Sequence, residues 1–427
     1  MHMPPRSGSA SILTGDRGRL AELIWERLKP ESWPVRPTEL PRGSVLVGGA
    51  VRDALLGRLC DAPDLDLVVP DHALKNARQL AQKLGGACVV LDEQRDMARL
   101  VLGGWTIDLA RREGATLEDD LNRRDYRLNA MALSFEGTPR LLDPTGGLKD
   151  LREGTVAAVK EANLQDDPLR LLRGLRLIAE LDMHLDAQTL KMLHRNRSLL
   201  PHAAPERIQA ELVRLVAAPA ADRAIATILE LELLAPWMKQ GAKAGDQRLI
   251  GTTKTCELLT DSERRQALPL ARLTELLPDA GLKELRFSRR QLQRCERLRY
   301  WIEHSTSSEG RPCPAELTEQ ERLRLQMDLE QDLPALILTW PIALQQQWLE
   351  RWRDLQDPLF HPRPPLDGKS LQAALQISPG PTLGALIQHL TLERAYGRIS
   401  TRDQALNSAR FWLFHQEVQT DLDRSCD

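Results

Sequence analysis

The pattern of apolar positions along the chain changes near residue 143. From residue 43 to about 142, short apolar runs typical of strands alternate with helical stretches such as 72–84. We predict strands at 44–47, 65–69, 87–91 and 105–109. Beyond residue 143, leucines recur at the helical period of about 3.6 residues. The pattern therefore predicts an α+β protein with an α/β head followed by an all-α body and tail.

Clusters of Gly, Pro, Ser and charged residues interrupt these patterns at four places. They lie at 143–147, 239–246, 305–314 and 357–367. We therefore expect four parts along the chain. They are an N-terminal helical extension (1–42), a head with the catalytic and metal site (43–150), a helical neck that recognises the nucleotide (151–245), and a helical body and tail (246–427).

Composition narrows the function classes only slightly. The formal net charge is −2, so binding to a polyanion must depend on local basic patches. The six cysteines show no CxxC spacing, which argues against a zinc site and favours reduced thiols. No apolar run reaches the roughly 20 residues that span a bilayer, and residues 1–10 lack the apolar core of a signal peptide. We expect a cytoplasmic protein without a membrane partner.

The first candidate for chemistry is the turn at residues 46–53, where a predicted strand runs into a helix through Gly48 and Gly49. Glycines at such a turn let backbone N–H groups approach a triphosphate, and Arg52 lies one turn into the helix, where it can neutralise phosphate charge. A tight turn without any ligand explains the two glycines equally well. Because the GxGxxG pattern is absent, a nicotinamide-binding oxidoreductase is disfavoured.

The second candidate is a pair of carboxylates. Asp64 and Asp66 stand two residues apart on a predicted strand, so their side chains point to the same face. Adjacent carboxylates repel each other unless a cation lies between them, as Mg²⁺ does in phosphoryl-transfer sites. Asp108, late in another predicted strand, is a candidate for the third acid of the site. An exposed polar face of an edge strand is the alternative explanation of the pair.

Arginines form the third candidate. Arg123 and Arg124 precede an aspartate and would clamp phosphate if they face the cleft, although such pairs also occur on solvated helix surfaces. Arg170, Arg173 and Arg176 recur every three residues and should form one stripe on a helix. We interpret this stripe as lacking acidic partners four residues away, which predicts that an anion lies along it.

Asp167 and Pro168 stand just before that arginine stripe. Their order predicts that Asp167 caps the helix N-terminus and that Pro168 takes its first position. This role in capping accounts for both residues without any ligand. It does not account for the arginines that follow.

Taken in order, these elements resemble the successive motifs of class II CCA-adding enzymes and bacterial poly(A) polymerases over about residues 43–240. The matching positions are 48–53, Asp64, Asp66, 123–125, Asn129, Ala130, Asp143, Pro144, Gly147, Asp150, Leu151, 167–176, Glu206, Arg207 and Glu211. The resemblance implies a polymerase-β-like nucleotidyltransferase head. Two of the motifs depart from the family pattern, which usually has Glu where Asp166 stands and Phe-Thr where Tyr126 and Arg127 stand.

The resemblance also implies the reaction and the site. Such enzymes transfer CMP or AMP from CTP or ATP to the tRNA 3′ hydroxyl without a template. Asp64 and Asp66 would bind two Mg²⁺ ions, with Asp108 as a third catalytic acid. The nucleotide would be bound by Gly48, Gly49, Arg52, Arg124, Asp167, Arg170, Arg173 and Arg176. A carboxylate beside a guanidinium, such as Asp167 and Arg170, accepts the Watson–Crick edge of C or A and leaves buried groups unpaired against U or G.

The segment between the third acid and the arginine pair is short. Members of the family that complete CCA usually carry a flexible stretch of a dozen or more residues there, whereas here 110–116 run almost directly into 117–120. The shortened segment resembles members that add only CC and leave the terminal A to a separate A-adding enzyme. Variation in loop length without functional meaning is the alternative.

Two other functions would explain some of the same motifs. A poly(A) polymerase would share every head motif, and an inactive RNA-binding paralogue would have no reason to retain two repelling carboxylates.

In the body, a predicted helix carries a basic face suited to the tRNA backbone, although solvated helix surface is an alternative. Its arginines are Arg286, Arg289, Arg290, Arg294 and Arg297.

Overall fold

The computed structural model describes residues 15–238, 257–305, 314 and 316–424. The chain forms two compact units, which divide after Pro236. The first unit contains a mixed sheet and helices, and the described part of the second contains helices without a strand. The predicted α+β class is therefore confirmed, although two short strands, at 155–156 and 184–185, lie beyond the predicted head in the part that we expected to be helical.

A seven-stranded sheet forms the centre of the first unit. Its strands are β1 Val45–Val47, β2 Leu65–Val69, β3 Ala87–Asp92, β4 Met97–Leu102, β5 Trp105–Arg111, β6 Ala132–Ser134 and β7 Arg140–Leu142. Their spatial order is β3-β4-β5-β2-β1-β6-β7, and only β2 and β5 pair in parallel. The four predicted strands are present, whereas β4, β6 and β7 were not predicted.

Helices surround this sheet and continue beyond it to the end of the first unit. They are α1 Arg17–Leu28, α2 Gly49–Leu56, α3 Ala73–Leu84, α4 Leu117–Leu121, α5 Gly147–Glu153, α6 Glu161–Asp166, α7 Leu169–Leu181, α8 Ala187–Asn196, α9 Pro205–Ala217 and α10 Ala221–Glu230. Two short parallel strands, β8 Thr155–Val156 and β9 His184–Leu185, pair between them.

Alternation along the strands gives the sheet one apolar face and one face that carries acids. Leu100 on β4 and Ile107 and Leu109 on β5 are buried where α3 packs against these strands. Since neighbouring side chains point to opposite faces, Arg99 and Asp108 lie on the other face. This acidic face also receives Leu121 at the end of α4, which packs against Val47 and Val68.

Helix α7 is held against the head by a tyrosine. Tyr126 is fully buried, and its hydroxyl donates a hydrogen bond to the carbonyl oxygen of Arg170 (2.8 Å). A Cβ at Gly174 would overlap the phenol group, so only glycine allows this approach. The leucines of α7 fill the interface with α9 and α10. The helix that carries the arginine stripe is therefore fixed relative to the residues that follow Arg124.

The described part of the second unit consists of helices and their connections. The helices are α11 Asp261–Leu276, α12 Asp279–Glu284, α13 Arg289–His304, α14 Glu319–Leu329, α15 Leu333–Ile337, α16 Ile342–Arg353, α17 Gly368–Leu375, α18 Pro381–Ala395 and α19 Arg402–Arg424. The predicted break at 357–367 separates α16 from α17. The predicted break at 239–246, and nearly all of that at 305–314, lie outside the described residues. Within the described ranges, no helix has the length and hydropathy needed to cross a membrane.

The contact between Tyr126 and Gly174 can be tested with a single methyl group. Gly174→Ala should lower the free energy of unfolding by about 2 to 3 kcal/mol, because the new Cβ meets the buried ring. Gly384→Ala is the matched control, since Gly384 also lies in a helix but has nothing within 4 Å of its added Cβ. The control should be neutral or stabilising by roughly 0.5 to 1 kcal/mol. Chemical denaturation followed by circular dichroism measures both variants, and an unaffected Gly174→Ala protein would contradict the packing argument.

Candidate active site

The turn between β1 and α2 needs glycine for two reasons. Gly48 has φ of 76°, in the region that favours glycine. A Cβ at this position would lie 3.0 Å from Asp66 Oδ2 and 3.7 Å from Arg124 Nη1. The backbone of the turn therefore lies directly against an acid and an arginine that we predicted for the site. This close approach goes beyond what a simple tight turn requires.

The three predicted acids line one cavity of about 680 Å³ in the first unit. Asp66 on β2 and Asp108 on β5 are partners in the register of the parallel pair, and Asp64 directly precedes β2. Burial raises the pKa of Asp66, and the charges of Asp108 and Asp64 raise it further, whereas Arg124 and Arg173 oppose this. A cation beside Asp66 would offset the cost of burying its negative charge and would screen its repulsion by Asp64 and Asp108.

Asp108 differs from the other two acids because it already has a cationic partner. Arg99 Nε and Nη2 each donate to one of its carboxylate oxygens at 2.8 Å. Among the described residues, no three His, Cys, Asp or Glu side chains are arranged to hold a metal ion. Metal binding by Asp64 and Asp66 and a catalytic role for Asp108 both stay predictions.

Arg52 lines the same cavity, but its guanidinium is engaged by protein groups. It donates to both carboxylate oxygens of Asp53 (3.0 and 2.8 Å) and to Asn129 Oδ1 (2.6 Å). These bonds fix the buried side chain at the cavity wall beside Gly49. A triphosphate would have to share these donors, so the predicted contact stays a prediction.

Asp125 is the buried acid around which the arginines assemble, and we did not predict a role for it. Its Oδ1 accepts the Tyr126 N–H (2.8 Å), and its Oδ2 lies 3.2 Å from Arg173 Nε. Burial opposes its ionisation, yet Arg173, the Tyr126 amide and the nearby Arg170 and Arg124 hold its pKa below the ordinary value. The sequence signal was present, since an acid directly after two arginines is a natural counter-ion.

Arg124 extends from the end of α4 toward Gly48 and lines a second, smaller cavity of about 320 Å³. Its Nη2 lies 3.3 Å from Asp120 Oδ2, and Asp120 Oδ1 accepts the Glu113 N–H (2.9 Å). The buried Nε of Arg124 has no hydrogen-bond partner among the described residues. The prediction that Arg124 faces a cleft is consistent with this position.

The arginines of α7 divide between the two cavities. Arg170 lines the smaller cavity and Arg176 the larger, whereas Arg173 lines both. Nη1 of Arg170 donates to the carbonyl oxygens of Arg123 (3.0 Å) and Asn163 (2.9 Å). The two cavities therefore meet at Arg173, beside Asp125.

The interpretation of the stripe as lacking acidic partners was wrong. Arg176 Nη1 donates to both carboxylate oxygens of Glu180, four residues along the same helix (2.7 and 2.8 Å). Its Nε donates to Glu211 on α9 (2.6 Å). Two carboxylates thus surround Arg176, and Arg173 has Asp125. An unpaired cationic stripe cannot be the reason for an anion at this helix.

Asp167 caps α7 as predicted. Its backbone is extended, whereas Pro168 already has helical angles although the regular helix begins at Leu169. Asp167 Oδ1 accepts the Leu169 N–H (3.2 Å), and its Oδ2 pairs with Arg207 (2.9 Å). The carboxylate is therefore held at the rim of the smaller cavity from two sides.

Asn163 contributes a structural role that no motif indicated. Its buried side-chain amide donates to the carbonyl oxygens of Asn122 (2.9 Å) and Arg124 (2.7 Å), and its own carbonyl accepts Arg170. One residue of α6 thus connects the segment that carries Arg124 to the guanidinium of Arg170. An isolated asparagine in a helical segment gives no sequence signal of this kind.

Arg127, a departure from the family pattern, lines neither cavity. Its Nη1 lies 3.9 Å from Asp150 Oδ1, and its N–H donates to the Ala157 carbonyl (2.9 Å). Burial raises the pKa of Asp150 to about 6, and the Arg127 charge opposes this rise. Arg127 therefore partners the buried Asp150 of α5, away from both cavities.

The connection from β5 to α4 is short and held at both ends. Five residues, 112–116, link Arg111 to Leu117. At its first end the Arg112 N–H donates to the Val69 carbonyl (2.8 Å) and the neighbouring Glu113 N–H donates to Asp120 of α4 (2.9 Å). Thr116 and Asp119 then form a reciprocal cap at the start of α4. This segment is not a free loop.

The predicted basic face of the body is partly used within the second unit. Arg294 pairs with both carboxylate oxygens of Asp332 (2.8 and 2.6 Å), and Arg297 donates to the Asp328 carbonyl (3.4 Å). Arg289 and Arg290 begin α13 and are exposed. The five arginines thus do not form one uninterrupted surface for RNA.

Comparison with known proteins identifies the family. Residues 44–157 match the model of the poly A polymerase head domain, and 182–244 match that of the probable RNA and SrmB-binding site of polymerase A. The chain is 32% identical over 397 residues to the CC-adding tRNA nucleotidyltransferase of Synechocystis sp., across 87% of this chain and 94% of the relative. The chain belongs to the tRNA nucleotidyltransferase family. The predicted enzyme class, a nucleotidyltransferase, is confirmed.

Two further relatives delimit what identity alone can decide. The A-adding tRNA nucleotidyltransferase of Deinococcus radiodurans is also 32% identical, over 435 residues, 87% of this chain and 96% of the relative. The solved CCA-adding enzyme of Thermotoga maritima in complex with tRNA shares the fold, with a TM-score of 0.63 at 20% identity over 95% of this chain and 98% of that one. Relatives named for CC addition and for A addition are therefore both 32% identical to this chain.

Proposed function

We propose that this tRNA nucleotidyltransferase transfers CMP from CTP to the 3′ hydroxyl of tRNA, adds two C residues and stops. The observation that carries the proposal is the five-residue connection at 112–116, which is hydrogen-bonded to β2 and α4. Exchange of C for the larger A in one pocket requires side chains to reorient, and a mobile loop is a natural source of that movement. A pinned connection supplies no such movement, so the pocket stays set for C.

Asp64 and Asp66 fit a pair of Mg²⁺ ions. The fit is supported by the burial and repulsion that raise the pKa of Asp66, and by the glycine at position 48 that keeps the space beside its carboxylate open. Bound Mg²⁺ would lower the cost of ionising the attacking hydroxyl and shield the charge on the leaving pyrophosphate. Asp108, held by Arg99, orders the same wall of the cavity.

The phosphates of CTP are bound by cations that the fold holds in place. Gly49 and Arg52 form one wall of the larger cavity, and Arg173 forms another. Arg173 is oriented by Asp125, so little side-chain entropy is lost when phosphate binds. Arg124 lines the smaller cavity and, among the described residues, uses only Nη2 for a protein partner, Asp120, so its Nη1 can donate hydrogen bonds to the substrate.

The base is read by Asp167 and Arg170 at the smaller cavity. Arg170 uses Nη1 for two carbonyl oxygens, which leaves three of its five N–H donors for a ligand. Asp167, fixed by Arg207 and by the Leu169 amide, accepts the exocyclic amine of cytosine. Uracil presents a carbonyl at that position, so the carboxylate would face another acceptor.

The second unit and its exposed Arg289 and Arg290 provide candidates for contact with the tRNA backbone. A tRNA that ends in CC would leave the enzyme as product. Its completion requires a separate A-adding enzyme acting next in sequence, and we place both steps in the cytoplasm.

The metal assignment predicts a large loss of rate from either acid. Asp64→Ala and Asp66→Ala should each reduce CMP incorporation by about a thousandfold or more, because charge stabilisation at the reacting phosphate is lost. Asp71→Ala is the control, since Asp71 is exposed on the same head and lines neither cavity. Rates are measured by incorporation of labelled CMP into tRNA that ends in the discriminator base. A folded Asp66→Ala variant with near-normal rate would remove this acid from the mechanism.

The base-reading assignment predicts a loss of discrimination. Asp167→Ala should allow UTP and GTP to compete with CTP, because the carboxylate that disfavours a carbonyl edge is absent. Asp166→Ala is matched to it, since this neighbouring acid is exposed and lines neither cavity. The ratio of kcat/KM for CTP over UTP is the readout. If Asp167→Ala stays active with unchanged discrimination, another residue reads the base.

The proposed stop after CC is tested with three acceptors and the purified protein. On tRNA that ends in the discriminator base or in C, extension should run to CC in the presence of both CTP and ATP. On tRNA that ends in CC, addition of A should be slower than C addition by about a hundredfold or more. Efficient A addition would establish a CCA-adding enzyme, and repeated A addition to unstructured RNA would establish a poly(A) polymerase.

A further inference from the structure

The smaller cavity has an excess of positive charge that its own residues do not balance. Seven arginines and four carboxylates line it, so the difference is three positive charges. Each carboxylate is paired with one arginine; the pairs are Glu113 with Arg123, Asp120 with Arg124, Asp125 with Arg173, and Asp167 with Arg207. The arginines that remain are Arg95, Arg111 and Arg170. Arg170 is held by backbone carbonyls, whereas the side chains of Arg95 and Arg111 donate no hydrogen bond within the described residues.

Arg95 and Arg111 are brought together by the sheet. Arg95 lies in the turn between β3 and β4, and Arg111 ends β5. The Arg111 N–H donates to the carbonyl oxygen of Asp96 (3.1 Å), directly after Arg95. Both arginines line the cavity where β4 begins and β5 ends, and Asp167 and Arg170 line it from the helical side.

The nearest acids do not neutralise this pair. The carboxylate of Asp96 is occupied by two N–H groups at the start of α3, those of Ala73 (3.0 Å) and Leu74 (2.8 Å). Asp92 lies 3.9 Å from Arg95, at the limit of an ion pair. Arg111 forms no ion pair within the part of the chain that the structure describes.

The same contacts hold the turn in one conformation. Asp96 has φ of 54°, its carboxylate is bound to α3, and the Arg95 N–H donates to Asp92 Oδ1 (3.0 Å). Two arginines that line one cavity from a fixed turn and a strand end provide a site for a phosphate oxyanion. Binding there costs little ordering of the backbone.

We propose that Arg95 and Arg111 bind a phosphodiester of the 3′ strand of the RNA substrate. It rests on the proposed function, which places the base of CTP at Asp167 and Arg170, between this pair and the larger cavity. Neither arginine lines the larger cavity, where Asp64 and Asp66 would bind the reacting phosphates. Arg111 lies three residues beyond Asp108, roughly 10 Å along β5. The phosphate at this pair therefore belongs to the RNA and not to CTP.

The test removes both charges and compares RNA with nucleotide. Arg95→Gln with Arg111→Gln is matched by Lys75→Gln with Arg78→Gln, which removes the same charge from exposed positions of α3, against the other face of the sheet. Binding of tRNA that ends in C is measured by fluorescence anisotropy over a range of salt without nucleotide. Binding of CTP is measured by calorimetry.

For the Arg95/Arg111 variant we expect a several-fold rise in the Kd for tRNA. The slope of log Kd against log salt should decrease by about 0.7 for each phosphate contact that is lost. The Kd for CTP should stay at the wild-type value, and the α3 control should leave both Kd values unchanged. Because both arginines are exposed, thermal unfolding should also be unchanged.

Two outcomes would overturn the proposal. Weaker CTP binding with unchanged tRNA binding would assign the pair to the triphosphate, and unchanged binding of both ligands would leave it without a phosphate ligand. Failure of the proposed function is recognised separately, because the binding assay needs no catalysis. If the wild-type protein adds no CMP to tRNA, the proposed reaction is rejected. Weaker tRNA binding by the Arg95/Arg111 variant would still support the RNA contact in that case.

Discussion

The ion pair between Asp125 and Arg173 is the interaction on which the arrangement of both cavities depends. Asp125 is buried, so it can be ionised only while cations stay beside it, and Arg173 is the nearest of them. This requirement fixes α7 against the segment that follows α4, and Tyr126 and Gly174 complete the contact. Loss of Arg173 alone would leave a buried charge without its main partner. The position of the two cavities is thus set by a buried electrostatic constraint, and apolar packing of α7 against its neighbouring helices supports it.

Much of the fold follows from local patterns, and the failures have identifiable causes. Strands with strong β-branched or alternating patterns, such as β2, were predicted, and so was the change to helices after the head. Strand β4 was missed although Gly103 and Gly104 both adopt positive φ between it and β5, which is the backbone of a tight hairpin. The short strands β6 and β7 lie at the far edge of the sheet and carry three residues each, too few for a periodic signal.

The candidate site shows a different limit. Residue types and their order were sufficient to predict that Asp64, Asp66 and Asp108 share one site. The structure places them in one cavity because Asp66 and Asp108 are partners in the register of neighbouring strands. The partners of the arginines could not be predicted in the same way. Glu180 was visible four residues after Arg176, but Glu211 reaches it from another helix, and Asn163 acts through its amide on carbonyl oxygens that carry no sequence identity. Charge pairing between elements depends on tertiary contacts, which short-range spacing does not encode.

The pinned connection at 112–116 also has a consequence for how specificity can change in evolution. It joins the last residue of β5 to α4, and it is anchored by the backbone N–H groups of Arg112 and Glu113, which donate to the Val69 carbonyl and to the Asp120 carboxylate. Residues inserted after these anchors would lengthen the segment while the register of Asp66 with Asp108 and the burial of Asp125 stay as they are. A single in-frame insertion or deletion could therefore alter which nucleotide is added without passing through an unfolded or inactive protein. That would allow enzymes of different specificity to diverge while they keep similar overall identity to one another.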